Sequence, residues 1–297
     1  MNVVRTPDEC FAALPDFPFA ARYVDAGGMR VHHIDEGPRD GEAVLLLHGE
    51  PTWSFLWRRV VDELLRARLR VITIDLVGFG RSDKPERREE HTYARHVEWM
   101  RRAIEAIGVR DVTLVCHDWG GLIGLRLVAE HGALFSRVVA TNTGLPTGDI
   151  EMPEAFRQWQ QASQRIPEFP AGRVVQGGTL SDLPADVVAA YDAPFPDERY
   201  KAGPRQMPLL VPTTPDDPGA VANRAAWQRL REWRRPFLCA FSDSDPITRG
   251  ADALFESVIP GCAGLDHPTI RGAAHFVQED RGEELGQIVA EFVASTR

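Results

Sequence analysis

The residues best suited to chemistry lie in the segment 115–121, which reads Val-Cys-His-Asp-Trp-Gly-Gly. The apolar, β-branched run at 111–116 predicts a short buried strand, and the apolar spacing of 121–130 predicts a helix packed on a sheet. A strand that turns sharply on small residues into a helix is typical of a nucleophile elbow, whose usual pattern is Gly-x-Ser-x-Gly. Here Cys116 and Gly120 are the small flanking residues, and Asp118 holds the nucleophile position.

An aspartate at this position changes the chemistry. A serine needs a base before it can attack, whereas an aspartate with a reference pKa of about 3.9 is already ionised at neutral pH. A carboxylate on an elbow suits displacement at carbon, which would leave an ester on the protein. The alternative is that Asp118 only caps the following helix, and the stretch alone favours that interpretation. The rest of the chain favours the catalytic one.

The elements around this stretch predict an α/β fold with a mostly parallel, doubly wound sheet, because strand and helix patterns alternate along the chain. Apolar runs indicate strands covered on both faces, and the two alternating runs at 19–24 and 29–34 indicate a hairpin. Predicted strands also lie at 43–47, 71–74, 136–141, 236–241 and 267–271, and predicted helices at 57–67, 93–107, 223–233, 251–258 and 282–294.

The alternation stops between about 143 and 215, where the chain is rich in Pro, Gln and short helical patterns. Because no linker composition marks this shift, we expect an insertion rather than a free domain. We therefore expect a core formed by residues 1–142 and 216–297, with a helical cap at 143–215.

Sites in open α/β sheets form at the carboxyl ends of strands, so the polar residues just after each predicted strand are the candidates for a site. A nucleophile, an acid and then a histidine, each after a later strand, is the chain order of α/β-hydrolases. His275 follows the last predicted strand and is the candidate general base. Asp243 and Asp245 compete as the acid that orients it, and the Asp-Pro-Ile turn favours Asp245. Asn142, after the preceding strand, cannot supply a carboxylate.

The loop after the first parallel strand, His48-Gly-Glu50, predicts an oxyanion hole. In this fold that loop supplies one backbone N–H and the residue after the nucleophile supplies the other, which here are Glu50 and Trp119. We expect His48 itself to be a hydrogen-bonded structural residue.

Composition excludes several classes of function. The net charge of −9 argues against a nucleic-acid partner. No stretch approaches the roughly 20 apolar residues of a membrane span, and the N-terminus lacks the apolar core of a signal peptide. The four cysteines have no Cys-x-x-Cys spacing, so we expect reduced thiols in a cytoplasmic protein without a metal site. They are Cys10, Cys116, Cys239 and Cys262.

The combined motifs resemble those of haloalkane dehalogenases of the α/β-hydrolase superfamily, in the subfamily with an Asp-His-Asp triad and two halide-binding tryptophans. The segments that carry the resemblance are His-Gly-Glu-Pro-Thr-Trp-Ser at 48–54, Asp-Leu-Val-Gly-Phe-Gly-Arg-Ser-Asp-Lys-Pro at 75–85, Cys-His-Asp-Trp-Gly-Gly at 116–121, Tyr-Asp-Ala-Pro-Phe-Pro-Asp at 191–197 and Ala-His-Phe-Val-Gln-Glu at 274–279. The chain departs from the pattern at Ser242, where a glycine often precedes the acid, and in the cap between Trp159 and Leu183.

The resemblance implies Asp118 as nucleophile, His275 as base and Asp245 as acid. It also implies that Trp119 binds halide together with a tryptophan of the cap, for which Trp159 is the only tryptophan available between 143 and 215. An indole N–H is a donor without a lone pair on its nitrogen, which suits an anion site in a dry pocket.

The implied reaction converts a haloalkane and water into an alcohol, a halide ion and a proton, without cofactor or metal, in a protein that we expect to be monomeric. The first alternative is an epoxide hydrolase, which would use two cap tyrosines as acids, and the cap contains Tyr191 and Tyr200. The second alternative is a non-catalytic binding protein of the same fold. Such a protein would not require all of Asp118, His275 and Asp245.

Overall fold

Eleven strands are present in the computed structural model, which describes all residues from Met1 to Arg297. They are β1 (Val3–Val4), β2 (Arg22–Asp25), β3 (Arg30–Glu36), β4 (Ala43–Leu47), β5 (Arg70–Ile74), β6 (Lys84–Pro85), β7 (Val112–His117), β8 (Phe135–Thr141), β9 (Phe237–Cys239), β10 (Phe241–Ser242) and β11 (Thr269–Ile270). Seven form one sheet in the order β2-β3-β5-β4-β7-β8-β9. Within this order, the neighbours among β5, β4, β7, β8 and β9 pair in parallel. The pairs β2–β3 and β3–β5 are antiparallel.

Ten α-helices connect and cover these strands. They are α1 (Arg58–Arg66), α2 (Tyr93–Ile107), α3 (Trp119–Glu130), α4 (Glu154–Arg165), α5 (Ala171–Gly177), α6 (Ala185–Asp192), α7 (Ala202–Leu210), α8 (Ala220–Leu230), α9 (Ala251–Val258) and α10 (Val277–Ser295). None of them combines the length and the apolar character that crossing a bilayer would require.

The predicted α/β architecture is confirmed, and its hairpin is formed by β2 and β3. The differences lie at short strands and at two helices. The helix predicted at 223–233 is α8, which begins and ends three residues earlier. The run predicted as one strand at 236–241 is divided at Ala240, and its second part pairs with β11 in a separate two-stranded sheet. The last helix begins at Val277, five residues before the predicted start, and has a kink at Arg281, where φ is −144° and ψ is 42°.

The sheet is covered on both faces, and β4 shows why its residues are apolar without interruption. Leu45 and Leu47 join the core beneath α2 and α3, whereas Val44 and Leu46 join the core beneath α1 and α10. Successive side chains of a strand point to opposite faces, so a strand between two helical layers needs apolar residues at every position. Burying each such side chain contributes about 1.5–3 kcal/mol.

Residues 143–215, which we name the helical segment, contain no strand and include α4 to α7. A buried polar cluster ties this segment to the sheet-bearing part of the chain. The Tyr191 hydroxyl of α6 donates a short hydrogen bond to Oε1 of Glu279 in α10. Arg58 of α1 binds the same carboxylate through two contacts, of 2.5 and 2.8 Å. The guanidinium is therefore compensated in the interior, and the helical segment gains a fixed attachment.

We expect Tyr191→Phe to lower the free energy of unfolding by about 1.5–3 kcal/mol, the range for a hydrogen bond to a charged group. Urea denaturation followed by circular dichroism would measure the change. The matched control is Tyr200→Phe, because the partly buried Tyr200 donates no hydrogen bond through its hydroxyl, and its effect should stay within about 0.5 kcal/mol. Equal effects of the two substitutions would contradict the proposed attachment.

Candidate active site

The site is built around a sharp turn between β7 and α3. Asp118 lies at this turn with φ of 49° and ψ of −123°, a left-handed conformation that costs about 1–3 kcal/mol for a residue with a side chain. Two hydrogen bonds hold the turn. The Asp118 N–H donates to the carbonyl of Asn142 at 3.1 Å, and the Thr143 hydroxyl donates to the carbonyl of Asp118 at 2.7 Å. The strained turn therefore projects the carboxylate past the carboxyl end of the sheet.

Close approaches explain two of the glycines near this turn. A Cβ atom on Gly49 would lie 2.1 Å from Oδ1 of Asp118, and one on Gly121 would lie 1.9 Å from Oγ1 of Thr143. Both distances are far below van der Waals contact, so any side chain at either position would displace the nucleophile or the residue that holds it.

The structure brings together the three residues predicted as a triad. Nε2 of His275 lies 3.6 Å from Oδ2 of Asp118, and Nδ1 of His275 lies 3.1 Å from Oδ2 of Asp245. Asp245 is itself fixed by the N–H of Ile247 at 2.8 Å and by the hydroxyl of Thr248. The competing Asp243 is exposed and accepts from the N–H of Gly272 instead.

Charge and burial set the protonation of this group. Burial alone would raise the pKa of Asp118, but the hydrogen bond and the charge of His275 keep it below its usual range. Burial would lower the pKa of His275, but the charge of Asp245 and the hydrogen bond with Asp118 raise it to about 10. Despite burial, the charge of His275 also keeps the pKa of Asp245 below its usual range. At neutral pH one imidazolium therefore lies between two carboxylates.

The predicted oxyanion donors point at the same carboxylate. The backbone N–H of Glu50 donates to Oδ1 of Asp118 at 2.7 Å, and the backbone N–H of Trp119 contributes to lowering the pKa of Asp118. His48 is fully buried, with Nε2 accepting from the N–H of Leu76 at 2.9 Å and Nδ1 bonded to the carbonyl of Gly49 at 2.8 Å. Both of its nitrogens are bonded to backbone, as a structural residue requires.

A cavity of about 930 Å³ opens in front of Asp118 and His275, between the sheet edge and the helical segment. Three tryptophans line it. The N–H of Trp227 donates to the carbonyl of Leu145 at 2.8 Å and is therefore not free. Trp119 donates to no protein acceptor, and the N–H of Trp159 interacts with the carboxyl of Glu50, where it lowers the pKa of that group. Trp119 and Trp159 are thus the two indoles that can donate to a ligand in this cavity.

No tyrosine lines the cavity. The hydroxyl of Tyr191 donates to Glu279 within the buried cluster, and Tyr200 lies in a short 3₁₀ helix away from the cavity. The arrangement needed to protonate an epoxide oxygen with two tyrosines is therefore missing.

One group of side chains elsewhere has metal-ligand chemistry. Cys239, Glu256 and His267 bring ligand atoms within 4.8 Å of one another. Both ring nitrogens of His267 are already bonded, Nδ1 to the N–H of Cys239 and Nε2 to the carbonyl of Cys262, each at 3.0 Å. This group therefore offers no free imidazole nitrogen for a metal ion.

Comparison with known proteins agrees with this geometry. Residues 42–281 match the family model for the alpha/beta hydrolase fold. The chain is 52% identical to a haloalkane dehalogenase of Psychrobacter cryohalolentis, over 99% of this chain and 98% of that protein. It is 49% identical to a haloalkane dehalogenase of Mycobacterium marinum, over 97% and 98%. The chain belongs to the haloalkane dehalogenase family.

A solved structure of this family extends the comparison to three dimensions. The tetrameric haloalkane dehalogenase DpaA of Paraglaciecola agarilytica is 34% identical to this chain, with a TM-score of 0.91 and 97% of each chain covered. The agreement therefore includes the helical segment, where the sequence departs most from the dehalogenase pattern.

Three further residues hold the loop of His275. From the sequence, Asn142 is recognised only as unable to supply the acid, and no role is assigned to His117 or Asp280. The carbonyl of His275 accepts from Nε2 of His117 at 2.8 Å and from Nδ2 of Asn142 at 2.9 Å. Asp280 accepts from the N–H of Ala274 at 2.9 Å and also from the N–H groups of residues 180 and 181 in the helical segment. The only available signals were the polar side chains at 117 and 142, which directly follow or end buried strands.

We expect Asp245→Asn to reduce kcat of dehalogenation by about 10⁴-fold, as loss of the orienting carboxylate does in other triads. An asparagine would turn an N–H or a weaker acceptor toward Nδ1 of His275 and would not stabilise the imidazolium. Halide release from a bromoalkane at saturating concentration would measure it. Asp243→Asn is the matched control and should retain most of the rate, because Asp243 contacts a loop N–H on the exposed side. An inactive Asp243→Asn beside an active Asp245→Asn would reverse the assignment.

Proposed function

We propose that Asp118, His275 and Asp245 act as nucleophile, base and acid in a two-step hydrolysis. As a member of the haloalkane dehalogenase family, the protein is a hydrolase that acts on carbon–halogen bonds. The single observation that supports these roles best is the position of His275, whose two ring nitrogens face the two carboxylates at 3.6 and 3.1 Å. A histidine serving only the fold would not need an ionised aspartate on a strained turn as its second partner.

In the first step, Asp118 attacks the carbon that carries the halogen, and the halide leaves. The carboxylate needs no base for this attack, because its pKa lies below the usual range. The N–H groups of Trp119 and Trp159 bind the departing halide in the cavity. Donors already in place where charge develops stabilise the transition state, and one such donor contributes about 3 kcal/mol in comparable sites.

In the second step, water activated by His275 attacks the ester carbonyl of Asp118, and the N–H groups of Glu50 and Trp119 hold the oxyanion. Alkylation itself prepares His275 as a base. The ester is uncharged, so His275 loses the Asp118 contribution that helps to raise its pKa to about 10 in the resting enzyme. The imidazole becomes easier to deprotonate when a base is needed, while Asp245 continues to orient it. The products are an alcohol, a halide ion and a proton.

The helical segment at 143–215 is, in this proposal, a cap on a core formed by 1–142 and 216–297. The cap contributes Trp159 and closes the cavity over Asp118. The reaction uses a haloalkane and water and derives no step from a metal or an organic cofactor. The four cysteines are free thiols, and this supports the proposal of a cytoplasmic location.

We further propose that the protein is a monomer. Three of its exposed large apolar side chains, those of Ile150, Leu180 and Leu254, line the mouth of the cavity, and the others are scattered. Light scattering after gel filtration should give a mass near the 33.1 kDa of one chain. A mass four times as large would show an assembly like the one named for the Paraglaciecola relative.

The two-step mechanism predicts a specific behaviour of His275→Gln. This variant should still undergo alkylation, because Asp118 attacks without a base, but hydrolysis of the ester should stop. We expect about one equivalent of halide to be released, followed by a stall. Intact-mass analysis should show a gain equal to the alkyl group, and peptide mapping should place it on Asp118.

Wild-type protein, assayed in parallel with the same bromoalkane and with an epoxide, provides the control. It should turn over the bromoalkane repeatedly without accumulating alkylated protein, and it should leave the epoxide unchanged. If His275→Gln showed neither burst nor adduct while folded, His275 would be activating water against the haloalkane directly, and Asp118 would not be the nucleophile.

A further inference from the structure

The side chain of Glu50 has no role in the mechanism above, which uses only its backbone N–H. The carboxyl nevertheless lines the reactive end of the cavity and is nearly fully buried, at 5% exposure. Its Oε1 has no hydrogen-bond partner. A buried carboxyl oxygen without a partner is unfavourable unless the group is neutral or has a ligand. Its position on the same cavity wall as the proposed halide donors favours a ligand.

Three groups face this carboxyl from three different elements. Asp118 on the turn between β7 and α3, His275 in the loop before α10 and Trp159 of α4 line the same cavity as Glu50. Burial and the negative charge of Asp118 raise the pKa of Glu50 well above its usual range, whereas the charge of His275 and the Trp159 N–H lower it. Glu50 thus shares the N–H of Trp159 with any anion that enters the cavity.

We propose that the Glu50 carboxyl is a halide-binding group that binds halide as the neutral acid and, where it is ionised in the free protein, takes up one proton when halide binds and releases it when halide leaves. The inference rests on the proposed function, because it requires halide to bind between Trp119 and Trp159. The exchange is balanced: the carboxylate, a proton and a free halide ion give a neutral carboxylic acid hydrogen-bonded to halide. No bond to carbon forms or breaks in this step.

The two protonation states of Glu50 have opposite effects on halide. An ionised Glu50 attracts the N–H of Trp159 and places a second negative charge near Asp118, so that a halide ion would meet two anions in a buried site. A neutral Glu50 leaves the Trp159 N–H to the halide and offers its own O–H as a further donor. Halide affinity should therefore fall as pH rises through the pKa of Glu50.

The experiment is a titration of the whole protein with bromide, followed by quenching of tryptophan fluorescence, from about pH 5 to about pH 9. The pKa of His275 is raised to about 10, above this range, and the Glu50→Gln variant retains His275, so any contribution of His275 would appear in both proteins. The dissociation constant of wild-type protein should increase about tenfold for each pH unit above the pKa of Glu50. Glu50→Gln, which keeps a neutral donor of the same shape, should bind bromide with an affinity that does not vary with pH.

Glu151→Gln is the matched control, because Glu151 is another carboxylate on the wall of the same cavity but is exposed. It should retain the pH dependence of wild-type protein.

A direct measurement on wild-type protein accompanies the variants. Infrared difference spectra at a pH where Glu50 is ionised should show bromide binding converting one carboxylate to a carboxylic acid. This infrared measurement requires no substitution and therefore does not depend on whether Glu50→Gln folds.

The outcomes separate this inference from the proposed function. If Trp159→Phe weakens bromide binding at every pH but Glu50→Gln keeps the tenfold dependence, the role of Glu50 is wrong and the halide site remains. A pH-independent affinity of wild-type protein, or the absence of the carboxylic acid band, would also overturn it. If wild-type protein binds no bromide at any pH, the halide site itself is wrong, and the inference fails with it.

Discussion

The structure depends on keeping the Asp118 carboxylate charged where water is largely excluded. Removing a carboxylate from water is costly by several kcal/mol unless hydrogen bonds and an opposite charge replace the solvent. Here the replacement comes from the N–H of Glu50 at 2.7 Å and from His275 at 3.6 Å, both delivered by loops after other strands. The left-handed turn at Asp118 brings the carboxylate to the place where these donors converge. The parallel sheet provides that convergence, because its strands all end at the same edge.

The same carboxylate also determines the order of events. While it is charged, it raises the pKa of His275 and keeps the imidazole protonated, so the histidine cannot act as a base too early. Once it has become an ester, that restraint ends. In the proposed mechanism, the N–H groups that stabilise the resting carboxylate then face the ester carbonyl and stabilise its oxyanion. One set of donors therefore serves both the resting nucleophile and the second transition state, which explains why the groups are backbone atoms in fixed positions.

The parts predicted well from the sequence are those with a strong local signal. The helix at Tyr93–Ile107 has the predicted ends, because Thr92 caps its start and Gly108, with a φ of 77°, ends it. The elbow and the order of Asp118, Asp245 and His275 also follow from local patterns. The contacts of Asn142 and Asp280 with the loop of His275 could not be predicted in this way. Asn142 lies 133 positions from His275, and Asp280 joins residues 100 positions away, so no periodicity encodes these pairs.

The proposed halide site shows most clearly what depends on tertiary structure. Trp119 follows the nucleophile in the chain and shares its turn, whereas Trp159 belongs to the helical segment and reaches the cavity only when that segment is docked. Docking in turn relies on buried polar contacts far from the halide, those of Tyr191 with Glu279 and of Asp280 with residues 180 and 181. Polar contacts require specific geometry, unlike apolar packing, so they fix the position of the segment as well as its attachment. A pair of indoles from two parts of the chain can bind one small anion only if that position is fixed.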